Sequence, residues 1–215
     1  MRRAALALAL VLALASGAAP ETPPLTRERA LANIAKGDLE ARRQAAARLG
    51  DLGTMTDVSA LLAALRDDDE VVRALAEHSL WQVWSRAGDA ETDALFQLGV
   101  EQMQQGAAQA AIETFTTIIR KQPDFAEGWN KRATIYYLVG EYERSLRDCD
   151  EVMKRNPAHF GALSGYGQIY LQLDKPELAL DYFQRALKVN PNLRSVEAAV
   201  AELKRLIIER RKGTI

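Results

Sequence analysis

Prolines 123, 157 and 191 stand 34 residues apart, and the residues between them match at the same offset. Leu95, Trp129 and Leu163 fall in register, as do Leu98, Arg132 and Tyr166, then Gly99, Ala133 and Gly167. Small residues recur at Ala111, Ser145 and Ala179, Phe115 aligns with Cys149 and Phe183, and Ile118 with Val152 and Ala186. A period of this length means one supersecondary unit repeated, because such a unit buries its apolar face only by stacking on a copy.

The placing of Trp, Leu-Gly, Tyr, Ala, Phe, Ala and Pro over this period resembles the tetratricopeptide repeat, three times over residues 92–193 (92–125, 126–159 and 160–193). The resemblance implies an all-α fold, a right-handed superhelical α-solenoid of antiparallel helix pairs. Gly99, Ala133 and Gly167 are expected to face Ala111, Ser145 and Ala179, so that the two helices of a repeat cross without side chains between them. Trp129, Tyr136, Tyr170, Phe115 and Phe183 then fill the space between repeats, Gly106, Gly140 and Asp174 mark the turns, and the prolines end the second helices. After Pro191, a stripe of Val196, Ala199, Val200, Leu203, Leu206 and Ile207 predicts a capping helix over 194–212, basic at its end.

Residues 26–86 are also helical in pattern, with a different spacing. Asp38 can cap a helix closing at Gly50; Val58, Leu61, Leu62 and Leu65 stripe a second; Val72, Leu75, Ser79, Leu80 and Val83 stripe a third. The segment Leu65 to Arg73, with Asp before a Val-Arg pair, and the Ala-rich stretch Ala45 to Gly50 resemble the HEAT repeat. That resemblance implies a HEAT-like module continuing the same solenoid, joined through Arg86 to Thr92 with Gly88 at the junction.

At the N-terminus, Arg2 and Arg3 precede an unbroken apolar run from Ala4 to Ala15, then Ser16, Gly17, Ala18, Ala19 and Pro20. Twelve apolar residues rise about 18 Å as a helix, short of the ~30 Å hydrocarbon core. The run therefore reads as a signal peptide over 1–19, cleaved near Ala15 to Ala19 and directing export to the periplasm or outside the cell. No integral span is expected after cleavage. The single cysteine, Cys149, leaves no intrachain disulfide and no lipid anchor after the apolar run.

Lys and Arg number 28 against 29 Asp and Glu, so no global charge footprint for nucleic acid or an anionic membrane exists. His78 and His159 have no second His or Cys at ligand spacing and read as surface or turn residues. Cys149 sits where both neighbouring repeats carry Phe and reads as a buried small hydrophobe. Asp67 to Glu70 reads as a helix N-cap cluster, and Asp148, Asp150 and Glu151 as a solvated face. No nucleophile elbow, phosphate-cradling loop or zinc signature is present, so no catalytic residue, cofactor or metal is assigned and the chain reads as non-enzymatic.

What remains is surface. The tetratricopeptide resemblance implies that the first helix of each repeat lines a concave groove. Its fifth places carry Phe96, Asn130 and Ser164, its ninth Val100, Thr134 and Gln168, and its twelfth Met103, Tyr137 and Leu171. Asn130 and Gln168 suit the backbone of an extended peptide, and Phe96, Val100, Met103 and Tyr137 an apolar anchor, unless Phe96 and Val100 pack as core. The clamp by which one subgroup of this family holds acidic C-termini of chaperones falls here on Phe96, Val100, Lys131, Gly161 and Gly165, which lack it. The expected partner is a protein or peptide of the cell envelope, bound through a segment or helix. Self-association, or a small molecule held between the two modules by a carrier or enzyme, is the alternative.

Overall fold

The computed structural model describes residues 24–213. The signal segment expected over 1–19 lies outside the described residues. The described chain is helical throughout: α1 (Arg27–Lys36), α2 (Leu39–Leu52), a 3-10 turn at Met55–Asp57, α3 (Val58–Ala64), α4 (Glu70–Trp84), α5 (Ala90–Gln104), α6 (Ala108–Lys121), α7 (Ala126–Leu138), α8 (Tyr142–Arg155), α9 (Phe160–Gln172), α10 (Pro176–Val189) and α11 (Arg194–Arg211).

Four of the five helices through α5 begin on a side-chain cap, and of the six described after it only α9 does. Thr26, Asp38, Asp69 and Asp89 cap α1, α2, α4 and α5 by accepting a backbone N–H of the first turn. Among the described residues no side chain caps α6, α7, α8, α10 or α11; these are held by packing of their apolar faces. The turns between paired helices fall at Gly106, Gly140 and Asp174, with φ of 73°, 80° and 52°. The left-handed backbone favours glycine at the first two and is tolerated by the short polar side chain at the third.

α5 pairs with α6, α7 with α8, and α9 with α10, with α11 stacked last. The crossing is tighter than the small-residue rule alone implies. A Cβ on Gly99 would lie 2.7 Å from the Phe115 ring, and one on Gly167 would lie 2.4 Å from Phe183. The glycines are therefore matched to a ring from the partner helix. In the middle repeat the pair is Ala133 with Cys149, a methyl gained on one side and a ring lost on the other, in one shared cluster. Burial pushes the Cys149 thiol up to about 12, which suits the packing role expected of it.

The first four helices build their own core from Ala30, Ala45, Ala46, Leu49, Leu61, Leu65, Val72, Ala76 and Leu80. Arg27 pairs with Asp57 at 2.7 Å, Arg42 with Asp67 at 2.8 Å and Arg43 with Asp69 at 2.7 Å, so the acidic run braces α2 as well as capping α4.

The expectation that this unit simply continues the solenoid needs correction in one respect. α4 reaches across the edge where α7, α9 and α11 begin. Its start lies beside Pro191 and Arg194, and its end beside Phe125 and Asn156. Phe160 completes the core of the first unit, packing edge-on to Trp81 at 5.2 Å and against Trp84 at 5.0 Å. Polar groups seal the seam: Arg66 donates to the Lys188 and Val189 carbonyls, Asn190 to Glu77 at 2.9 Å, and Asn192 to the Leu65 carbonyl at 2.8 Å. Nothing in the spacing of residues 26–86 foretells this, because the contact joins elements more than 100 residues apart and their chemistry is complementary only in space.

Candidate functional site

The first helices α5, α7 and α9 run side by side. Between α7 and α9 lies a small cavity of about 50 Å³ whose wall brings together Asn130, Thr134, Tyr137 and Gln168, over a floor of Gly165, Ile169 and Cys149. Four of the nine residues expected in the groove therefore meet. The other five do not join them. Phe96 is 2% exposed, packed edge-on to Phe115 and Phe125, and belongs to the core of the first repeat, with Val100 and Met103 half-buried against it. Ser164 is half-buried and its hydroxyl donates to the Phe160 carbonyl at 2.8 Å. Leu171 is exposed farther along α9.

Asn130 also needs correction as a peptide-facing amide. It is 8% exposed, and its Nδ2 donates to Glu127 at 3.1 Å. Thr134 and Gln168 are exposed and Tyr137 is half-buried, so these, with Leu171, are what an incoming chain meets. Leu138, 70% exposed, and Val139 follow Tyr137 at the C-terminal end of α7. The sequence reading missed them. Their position just before the Gly140 turn, outside the helix stripe, is the signal that was available.

The opposite end of the groove is shut. Trp81 of α4 sits on Gly161, where a Cβ would lie 2.4 Å from the ring. Lys131 lies 5.9 Å from the Trp81 ring and 6.0 Å from that of Phe96. Beneath them is a fully buried polar cluster: Glu127 takes Lys131 at 3.1 Å and His159 at 2.9 Å, and the imidazole stacks on Trp84 at 4.6 Å. His159 Nδ1 accepts the Ala162 N–H at 3.0 Å, capping α9. That bond assigns the proton to Nε2, which donates to Glu127. Burial disfavours the charged carboxylate, yet the bonds from His159 and Lys131 hold Glu127 below its ordinary range.

Two sequence readings fall here. His159 closes the turn after Pro157 as expected, but it is not a surface histidine: it is buried and caps α9. The repeat register was the missed signal, since the residues 34 positions to either side are Phe125 and Leu193. Asp148 is not on a solvated face: it is 4% exposed and takes a bidentate bond from Arg132 at 2.8 Å on both oxygens. Arg132 stands where the neighbouring repeats carry Leu98 and Tyr166, and a cation at an apolar register position requires such a partner. Asp150 is exposed and accepts the Tyr166 hydroxyl, while Glu151 pairs with Lys154 and Arg155.

Tetratricopeptide repeat family models match residues 96–152 and 162–193. A TPR repeat-containing protein of Rhizobium etli is 32% identical over 117 residues, 54% of this chain and 57% of that protein. The small glutamine-rich tetratricopeptide repeat-containing protein of Dictyostelium discoideum is 29% identical over 124 residues, 57% of this chain and 37% of that protein. The chain thus spans about half or less of the length of these curated relatives. Among solved structures, the Sgt2 TPR domain from Aspergillus fumigatus superposes with a TM-score of 0.55 at 20% identity, covering 59% of this chain and 85% of that one. The first TPR of Spaghetti (RPAP3), bound to the HSP90 peptide SRMEEVD, gives 0.53 at 21% identity, covering 56% and 96%. These share the fold.

Proposed function

We propose that this chain, which carries tetratricopeptide repeats over residues 96–152 and 162–193, is an exported, non-enzymatic scaffold that holds a segment or helix of an envelope partner between α7 and α9. The observation that carries the reading is the open half of the groove: a cavity walled by Thr134, Tyr137 and Gln168, with Leu171 exposed farther along α9. An aromatic beside an amide offers apolar burial and backbone pairing together. The repeats before it are of the kind that holds a peptide in the Spaghetti complex. This chain's partner is of another chemistry, because the matching positions are buried Phe96, paired Lys131 and Trp81-covered Gly161. We read residues 26–86 as HEAT-like, on the Asp-Val-Arg turn and Ala-rich helix, and the export on the apolar run Ala4 to Ala15, outside the described residues.

Tyr137→Ala with Gln168→Ala tests the groove. Both side chains are at least partly solvent-facing, so thermal unfolding should stay within about 0.5–1 kcal/mol of wild type, while co-purification of the native partner is lost. Retention of every partner by a folded double variant would move recognition to the second helices or to α1–α4. Export has a separate check: N-terminal sequencing of protein from its own host should read a start between Ser16 and Pro20, and a start at Met1 would remove the envelope from the proposal.

A further inference from the structure

A second cavity, of about 60 Å³, lies at the seam between the two units, away from the groove. Trp84 and Arg86 wall it from one side, and Asn156, Arg155 and the first residues of α7 from the other, with Met55 and Asp124 at its edge. Two of these residues carry buried donors with nothing to bond. Trp84 is 3% exposed and Asn156 4%, and neither the indole Nε1–H nor the Asn156 amide finds an acceptor among the described residues. Leaving two such donors dry inside a protein is expensive, about 1–3 kcal/mol each.

The repeat itself shows what such a donor takes. Asn190 stands 34 residues after Asn156. Both asparagines turn the chain in the same way, Asn156 Oδ1 accepting the Ala158 N–H and Asn190 Oδ1 the Asn192 N–H. In Asn190 the amide nitrogen donates to the Glu77 carboxylate at 2.9 Å. In Asn156 the equivalent nitrogen has no such acid to meet. Two further features favour an oxyanion there. α7 begins at this wall without a side-chain cap among the described residues, so no side chain satisfies its first N–H groups, while Glu127 in that turn already complements the dipole. Arg86 spends its donors on the Gly50, Asp51 and Gly53 carbonyls, and no carboxylate among the described residues pairs with it. Arg155 is matched by Glu151, and exposed Asp124 opposes an incoming anion at the rim.

We propose that this cavity is a carboxylate site, filled from outside by the oxygen pair that Glu77 supplies internally one repeat later. The oxygens come from a free carboxylic acid or from an Asp or Glu side chain of a bound chain. The site is separate from the groove, and its test does not depend on the groove's partner.

The test is a titration of the purified protein followed by the indole N–H resonances, with that of Trp84 assigned by its loss in Trp84→Phe. The probes are acetate, a short acetylated glutamate peptide, its glutamine counterpart and chloride at matched ionic strength. The expected result is a saturable downfield shift of the Trp84 resonance with carboxylates and none with glutamine peptide or chloride. Saturation by acetate and peptide at similar concentration identifies a free acid as sufficient; saturation by peptide alone identifies an acidic chain. Asn156→Leu should weaken binding about ten-fold, the worth of one bond to a charged group. Asp124→Asn, at an exposed rim position, should tighten it about three-fold. An indole resonance that no carboxylate moves, with exchange cross-peaks to water alone, would overturn the proposal, as would tight binding indifferent to both substitutions.

Discussion

His159→Ala is expected to lower unfolding free energy by about 3–5 kcal/mol, combining a lost helix cap of about 1 kcal/mol, a lost hydrogen bond to a buried carboxylate of about 1.5–3 kcal/mol and the hole left by the ring. Three losses coincide. The Ala162 N–H at the start of α9 loses its cap, the Trp84 face loses the ring stacked at 4.6 Å, and Glu127 keeps only Lys131 and Asn130 in a site closed to water. Against a total of about 5–15 kcal/mol for a protein of ordinary stability, that is a large share. Denaturant unfolding followed by circular dichroism measures it. Glu127→Ala should cost a similar amount, and the double substitution clearly less than the sum, because the two residues are one unit. A loss below about 1 kcal/mol would mean that the imidazole faces solvent and that α4 is not seated on α9.

Gly167→Ala should destabilise by about 1–3 kcal/mol, since the new methyl would lie 2.4 Å from the Phe183 ring. The middle repeat already holds the remedy, for Ala133 is paired there with Cys149 in place of a phenylalanine. Phe183→Cys alone leaves a hole and should cost about 3–5 kcal/mol. Made together, the two changes install the middle repeat's own pairing, so the double variant should be more stable than the sum of the single losses. A double-mutant cycle with no coupling would show that the positions do not share a contact and that the 34-residue register is misplaced.

The register carried most of what was legible. It fixed the helix pairs, the turns at Gly106, Gly140 and Asp174, and the burial of Cys149, because each follows from one unit packing on its copy. It also held the burial of His159, through Phe125 and Leu193, and of Asp148, through the cation Arg132 at an apolar place; histidine and aspartate were read by residue type, and type is the weaker guide within a repeat. The seam between units was not legible. Trp81 on Gly161 and Asn190 on Glu77 join segments with unrelated patterns, and the closed end of the groove follows from that seam alone. The structure therefore keeps Asn130, Thr134, Tyr137 and Gln168 at one cavity, with Asn130 buried in its wall, while Phe96 goes to the core of the first repeat.

The central claim is that a partner is held between α7 and α9 at the open end of the groove. Site-directed photo-crosslinking tests it most directly, with a benzophenone side chain placed in turn at Thr134 and Gln168 on the first helices, and at Arg147 and Asp181 on α8 and α10, all four exposed. Irradiated in the native host, the two groove positions should yield the same partner adduct, competed away by excess unlabelled protein, and the second-helix positions should yield none. Adducts from Arg147 or Asp181 with none from Thr134 and Gln168 would contradict the account and assign recognition to the outer helices.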